Sequence, residues 1–154
     1  LDPAQRHSAS GELLEDLQER TGVVGVGSLG SALLGYEGFA LHGLRIVAAF
    51  DRDPAKAGRE VRGTLVLPME KLPEMVQRLH VRIGIIAVPA DQAQAVADTL
   101  VEARITGLWN FAHTVLQVPD GVIVQNEDLS VGLAVLSKRL AAAYDDDTAV
   151  AVEK

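Results

Sequence analysis

The apolar positions of this chain gather into short runs separated by polar stretches with helical spacing. Val23–Val26, Arg45–Phe50, Leu65–Leu67, Ile83–Val88, Gly107–Phe111 and Val122–Val124 read as strands. The fourth run is apolar at every position, as a central parallel strand buried on both faces must be. Between the runs the spacing predicts helices from Ser28 to about Leu34, from about Glu70 to Leu79, from Asp91 to about Ala103 and from about Asp128 to Tyr144. Pro89 ends the fourth strand, and Asp91 is expected to cap the helix behind it. Asp53 and Pro54 have the order of a cap and a first helical residue. Leu13, Leu14 and Leu17 give Gly11–Arg20 the pattern of a short amphipathic helix that Ser10 can cap.

Strands that alternate with helices at such short spacing form βαβ units with right-handed crossovers. The expected fold is therefore α/β, a Rossmann-type doubly wound parallel sheet. The expected divisions are a tail and short helix over 1–20, a dinucleotide-binding domain over 21–127, a dimerisation helix over 128–144 and an acidic tail over 145–154. The last helix carries Val131, Leu133, Ala134, Val135, Leu136 and Leu140 with few polar positions between them. It needs burial on more than one side, which one small domain does not offer, so a partner chain is expected.

The chemistry concentrates where the first strand gives way to the first helix. Gly25, Gly27 and Gly30 follow the Gly-x-Gly-x-x-Gly spacing of a dinucleotide site. The first glycine permits the tight turn, the second lets a pyrophosphate approach the backbone, and the third lets the helix pack against its strand. Val26, Ser28 and Leu29 complete the loop, whose N–H groups and helix dipole suit an anion. Asp51 ends the second strand roughly 20 residues past the last glycine, where a carboxylate can accept both ribose hydroxyls. It can equally cap the turn before Pro54. Arg52 beside it can meet a 2′-phosphate, which Asp51 would repel, so NAD is expected ahead of NADP.

Composition narrows the field. The 154 residues are enough for one domain, and no apolar run reaches the length of a membrane span, so a cytoplasmic protein is expected. Cysteine is absent, which excludes disulfides and thiolate metal sites. His7, His42, His80 and His113 have no metal-ligand spacing. A net charge of −7 disfavours DNA binding by this chain alone. No Ser/Tyr/Lys or His/Asp constellation stands out, so an enzyme is not expected.

Several motifs stand in order: Gly25–Leu33, Tyr36-Glu37-Gly38-Phe39, Ala49–Pro54, Ala87-Val88-Pro89-Ala90, Trp109-Asn110-Phe111-Ala112 and Val124–Leu129. Over about residues 22–140 the chain resembles the NAD(H)-binding domain of the Rex family of bacterial redox-sensing repressors. The resemblance implies a homodimer that responds to the ratio of NADH to NAD⁺, with NADH closing the dimer and releasing operator DNA. It implies that Asp51 holds the adenosine ribose and that Val88, Pro89, Asn110, Phe111 and Ala112 stand at the nicotinamide end. Tyr36 and Asp128 match a pair that responds to cofactor state, and Leu129 would reach the partner's pocket from an exchanged C-terminal helix. Tyr36 also has a plain reading as a packing residue, and Asp128 as a helix cap. The family's operator contact comes from a winged-helix domain, for which too few residues precede the first strand. His113 replaces a proline usual in the family. Two other functions fit the same sheet: a small NAD-dependent oxidoreductase and a CoA-binding module. The 3′-phosphate on the ribose of CoA sits poorly with Asp51.

Overall fold

A computed structural model describes residues 18–127 and 135–144. Seven strands form one sheet in the order β3-β4-β2-β1-β5-β6-β7. They are β1 (Glu19–Val24), β2 (Leu44–Asp51), β3 (Glu60–Val61), β4 (Thr64–Pro68), β5 (Ile83–Ile86), β6 (Gly107–Asn110) and β7 (Ile123–Asn126). All neighbouring pairs are parallel except the β3–β4 edge hairpin. The expected α/β sheet is thus present, doubly wound outward from β1.

Helices α1 (Ser28–Leu34), α2 (Leu72–Leu79) and α3 (Ala90–Glu102) cover the sheet; residues 135–144 are helical (α4), and the rest of the helix expected from Asp128 lies outside the described residues. One face buries Val24, Phe50 and Ile86 against Leu72 and Val76 of α2 and Val96 and Leu100 of α3. A Cβ on Gly84 would stand 2.8 Å from Leu100 Cδ1, so a glycine in β5 lets α3 lie close. The other face buries Val26, Ala49 and Val66, with Leu34 of α1 packed against them. Side chains such as Phe50, Leu72 and Ile85 are fully buried, each contributing about 1.5–3 kcal/mol.

The element boundaries depart from the sequence reading for identifiable reasons. Glu19 and Arg20 are strand rather than helix, because β1 pairs with Leu44 and Arg45 of β2; the rest of the helix expected over 11–20 lies outside the described residues. Asp53 and Pro54 open a single turn, not a helix. The Asp53 carboxylate accepts from Ala55 N–H at 2.9 Å, and the chain turns back where Gly58 takes a φ of +88° and donates to Val66. The expected strand Leu65–Leu67 is β4, but its hairpin partner β3 is not foreshadowed by the apolar pattern; the two-residue turn between them, Arg62-Gly63, has φ of +52° and +84°, the left-handed pair that such turns require. A 3₁₀ turn, Met69–Lys71, precedes α2 and delays it to Leu72. Pro89, not Asp91, occupies the N-cap of α3, and Asp91 stands in its first turn, where a negative charge complements the helix dipole. Strand β5 stops at Ile86, β6 stops at Asn110 and β7 begins at Ile123. Among the described residues no helix is long and apolar enough to cross a membrane.

Candidate functional site

The parallel register aligns the carboxyl ends of the central strands. Val24 faces both Phe50 and Ile86, and Ile86 faces Asn110. The residues that follow therefore emerge together along one rim: Gly25, Asp51, Ala87 and Phe111. On either side of β1 the chain winds outward in opposite directions, and a doubly wound sheet opens a crevice at such a point. A cavity of about 770 Å³ lies there. Gly25, Gly27, Asp51, Arg52, Val88 and Pro89 line it.

The three glycines differ in what surrounds them. Gly25 has a φ of +100°, and a Cβ there would stand 2.5 Å from the carbonyl oxygen of Ala87. Gly30 is buried, and a Cβ on it would run into the carbonyl oxygen of Gly25. Nothing lies within 4 Å of the position a Cβ on Gly27 would take. Gly27 is thus open where the other two are crowded, and it borders the cavity. The residues fit a dinucleotide: a side chain at 27 would fill space that a diphosphate would need.

Asp51 is 9% exposed, and each of its oxygens has a partner. Oδ2 accepts from Val26 N–H at 2.8 Å, and Oδ1 accepts from Asp53 N–H at 2.9 Å. The carboxylate ties the glycine loop to the end of β2 and caps the turn behind it. Each oxygen keeps acceptor capacity for a ligand hydroxyl. Val26, expected as a loop contact, is buried with its N–H directed to Asp51. Ser28 is exposed and Leu29 half-buried at the start of α1.

The nicotinamide-side candidates divide. Val88 and Pro89 line the cavity, whereas Asn110, Phe111 and Ala112 stand one strand further along the rim. Asn110 is fully buried, its amide bonded to Ala112, Thr114 and Asn126. Phe111 joins a chain of rings. Tyr36 meets Phe39 edge-on with centroids 4.8 Å apart, Phe39 meets Trp109 at 5.9 Å, and Trp109 meets Phe111 at 5.0 Å. Tyr36 is half exposed at one end of this chain, so the tyrosine and the rim are linked through packed rings. Asp128 and Leu129 lie outside the described residues. Among the described residues no three metal-ligating side chains converge.

Sequence reasoning missed Lys56, Met69, Gln92 and Thr99, which also line the cavity. Gln92 had a usable signal, since it opens the helix after the strand next to β1. Lys56 and Thr99 had none, because a turn and a helix flank face the cavity only through the tertiary fold.

The CoA binding domain family matches residues 16–114. The chain is 54% identical over 115 residues to the redox-sensing transcriptional repressor Rex of Carboxydothermus hydrogenoformans, covering 75% of this chain and 55% of that protein. It spans about half the length of such curated relatives. Among solved structures it resembles RSP, a Rex-family repressor, in complex with β-NADH, at a TM-score of 0.76 and 33% identity over 94% of this chain and 70% of the other. The structure of RSP with β-NAD⁺ and operator DNA gives a TM-score of 0.75 at the same identity and coverage of this chain, and 67% of the other.

Proposed function

The chain belongs to the Rex family of redox-sensing repressors, and from that premise we propose that its sheet binds NADH and NAD⁺ and reports which of them is bound. One observation carries the reading from fold to site: the open position at Gly27 lies beside a rigidly held Asp51 on the wall of the same cavity. The bound dinucleotide would supply the signal, since its nicotinamide ring is a cation when oxidised and neutral when reduced. The chain's residues do the rest. The glycine loop receives the diphosphate on N–H groups that need no rearrangement. Asp51 accepts the ribose hydroxyls. Val88, Pro89, Phe111 and Ala112 offer the ring apolar contacts, which closure of the dimer would shield from water. A cation entering such a surround loses hydration that nothing replaces, and a neutral ring does not. NADH is therefore the tighter ligand.

In this proposal the molecule works as a homodimer. Val135, Leu136, Leu140 and Tyr144 of α4 are exposed and suit exchange with a partner. Reduced cofactor closes the dimer, and operator contact falls to the winged-helix domain that the family carries. The cofactor's preference for the closed state sets, by linkage, how far operator affinity falls.

The test is a calorimetric titration with NADH, NAD⁺, NADPH and CoA, with Trp109 emission followed in parallel. The expected result is NADH binding with quenching of Trp109, weaker NAD⁺, and no competition by CoA. Equal affinities for the two redox forms would overturn the sensor reading, and CoA displacing NADH would favour the CoA-binding module. An NAD-dependent oxidoreductase would reveal itself by turnover of NAD⁺ with candidate alcohols.

A further inference from the structure

Asn110 closes β6, is fully buried, and uses its amide in three directions. Nδ2 donates to the Thr114 carbonyl at 3.0 Å and to Asn126 Oδ1 at 3.1 Å. Oδ1 accepts from Ala112 N–H at 3.0 Å. Its backbone carbonyl accepts from Glu127 N–H at 2.9 Å. One residue thus holds the loop that begins at Phe111 and the last residues of β7. A second amide secures the far end of that loop. Gln94 of α3 accepts from Gln117 N–H at 2.8 Å and donates to the Gln117 carbonyl at 2.8 Å. The first turn of α3 is itself cavity wall, through Asp91 and Gln92.

We propose that Asn110 is a positioning residue: it couples the loop 111–117 to the end of β7, so that a change at Phe111 and Ala112 reaches residue 127 and the chain beyond it. Loop and strand end cannot move apart without leaving a buried amide unpaired, which the fold resists. They move together, and the next described element in the chain is α4, whose apolar side chains are exposed. The inference rests on the reading above that the nicotinamide meets Phe111 and Ala112. It changes the part of Asn110 from cofactor contact to link.

Asn126 is exposed, so its replacement leaves no cavity, and Asn110 Nδ2 keeps its bond to the Thr114 carbonyl. The measurements on the whole chain are NADH affinity by calorimetry and amide exchange over residues 135–144 with and without NADH. In the wild type NADH slows that exchange. In Asn126→Ala the affinity stays within about twofold, while the NADH-dependent slowing shrinks by about fivefold or more. Asn126→Asp keeps an acceptor for Asn110 Nδ2 and restores the response. The coupling role is overturned if Asn126→Ala responds like the wild type, if it loses affinity in step with the response, or if Asn126→Asp fails to rescue it. NADH failing to bind the wild type overturns the functional reading, and this inference with it.

Discussion

A methyl group distinguishes the glycines of the opening loop. Gly27→Ala adds its Cβ to open space, so the expected outcome is a melting temperature within about 2 °C of wild type and NADH affinity lower by about tenfold or more. Gly30→Ala sets the same methyl against the Gly25 carbonyl, and the helix must lift from its strand. Overpacking of this kind costs about 3 kcal/mol, expected as a fall of more than about 5 °C in a thermal melt. If both variants melt alike, the loop does not divide its labour in this way. Asp51 acts through both oxygens, so Asp51→Asn removes an acceptor from either Val26 or Asp53 and the charge from both bonds. Charge-assisted hydrogen bonds of about 1.5–3 kcal/mol set the scale, and NADH affinity should fall by at least about tenfold, read by calorimetry.

At the scale of elements, α4 is the one whose composition and surroundings disagree. Val135, Leu136, Leu140 and Tyr144 are 45–76% exposed, although the sequence pattern asks for burial. The homodimer proposed above would resolve the conflict. Leu136→Glu with Leu140→Glu is expected to convert a dimer to a monomer in sedimentation velocity, with the circular dichroism of the sheet domain unchanged. A wild-type chain that sediments as a monomer at micromolar concentration would leave the helix without its partner and sink the exchange. The α3 helix shows the opposite relation: Gly84 lets it sit close to β5, and Gln94 uses the same closeness to hold the 117 end of the rim loop.

Across the whole molecule the preference for NADH is expected to come from desolvation, not from repulsion between charges. Arg52 and Lys56 border the cavity together with Asp51, Asp53 and Asp91, and any repulsion of a cationic ring by the two cations would be screened by salt. The Debye length falls from about 10 Å at 0.1 M to about 3 Å at 1 M, so a preference built on those cations would shrink over that range. One built on an apolar surround should persist, and the ratio of NADH to NAD⁺ affinity measured across the salt series decides between them. The alternation of apolar runs with helical spacing determined the α/β sheet, because a period written in the sequence survives whatever packs against it. The glycine spacing and Asp51 marked residues that line one cavity, since a glycine turn and an acid ending the next strand each leave a signature in their own stretch of sequence. Register, however, belongs to pairs of strands. Only the assembled sheet could turn Glu19 and Arg20 from helix to strand, bring Lys56 and Thr99 to one cavity, and set Asn110 opposite Asn126. Those contacts join residues far apart in the chain, and no local pattern carries them.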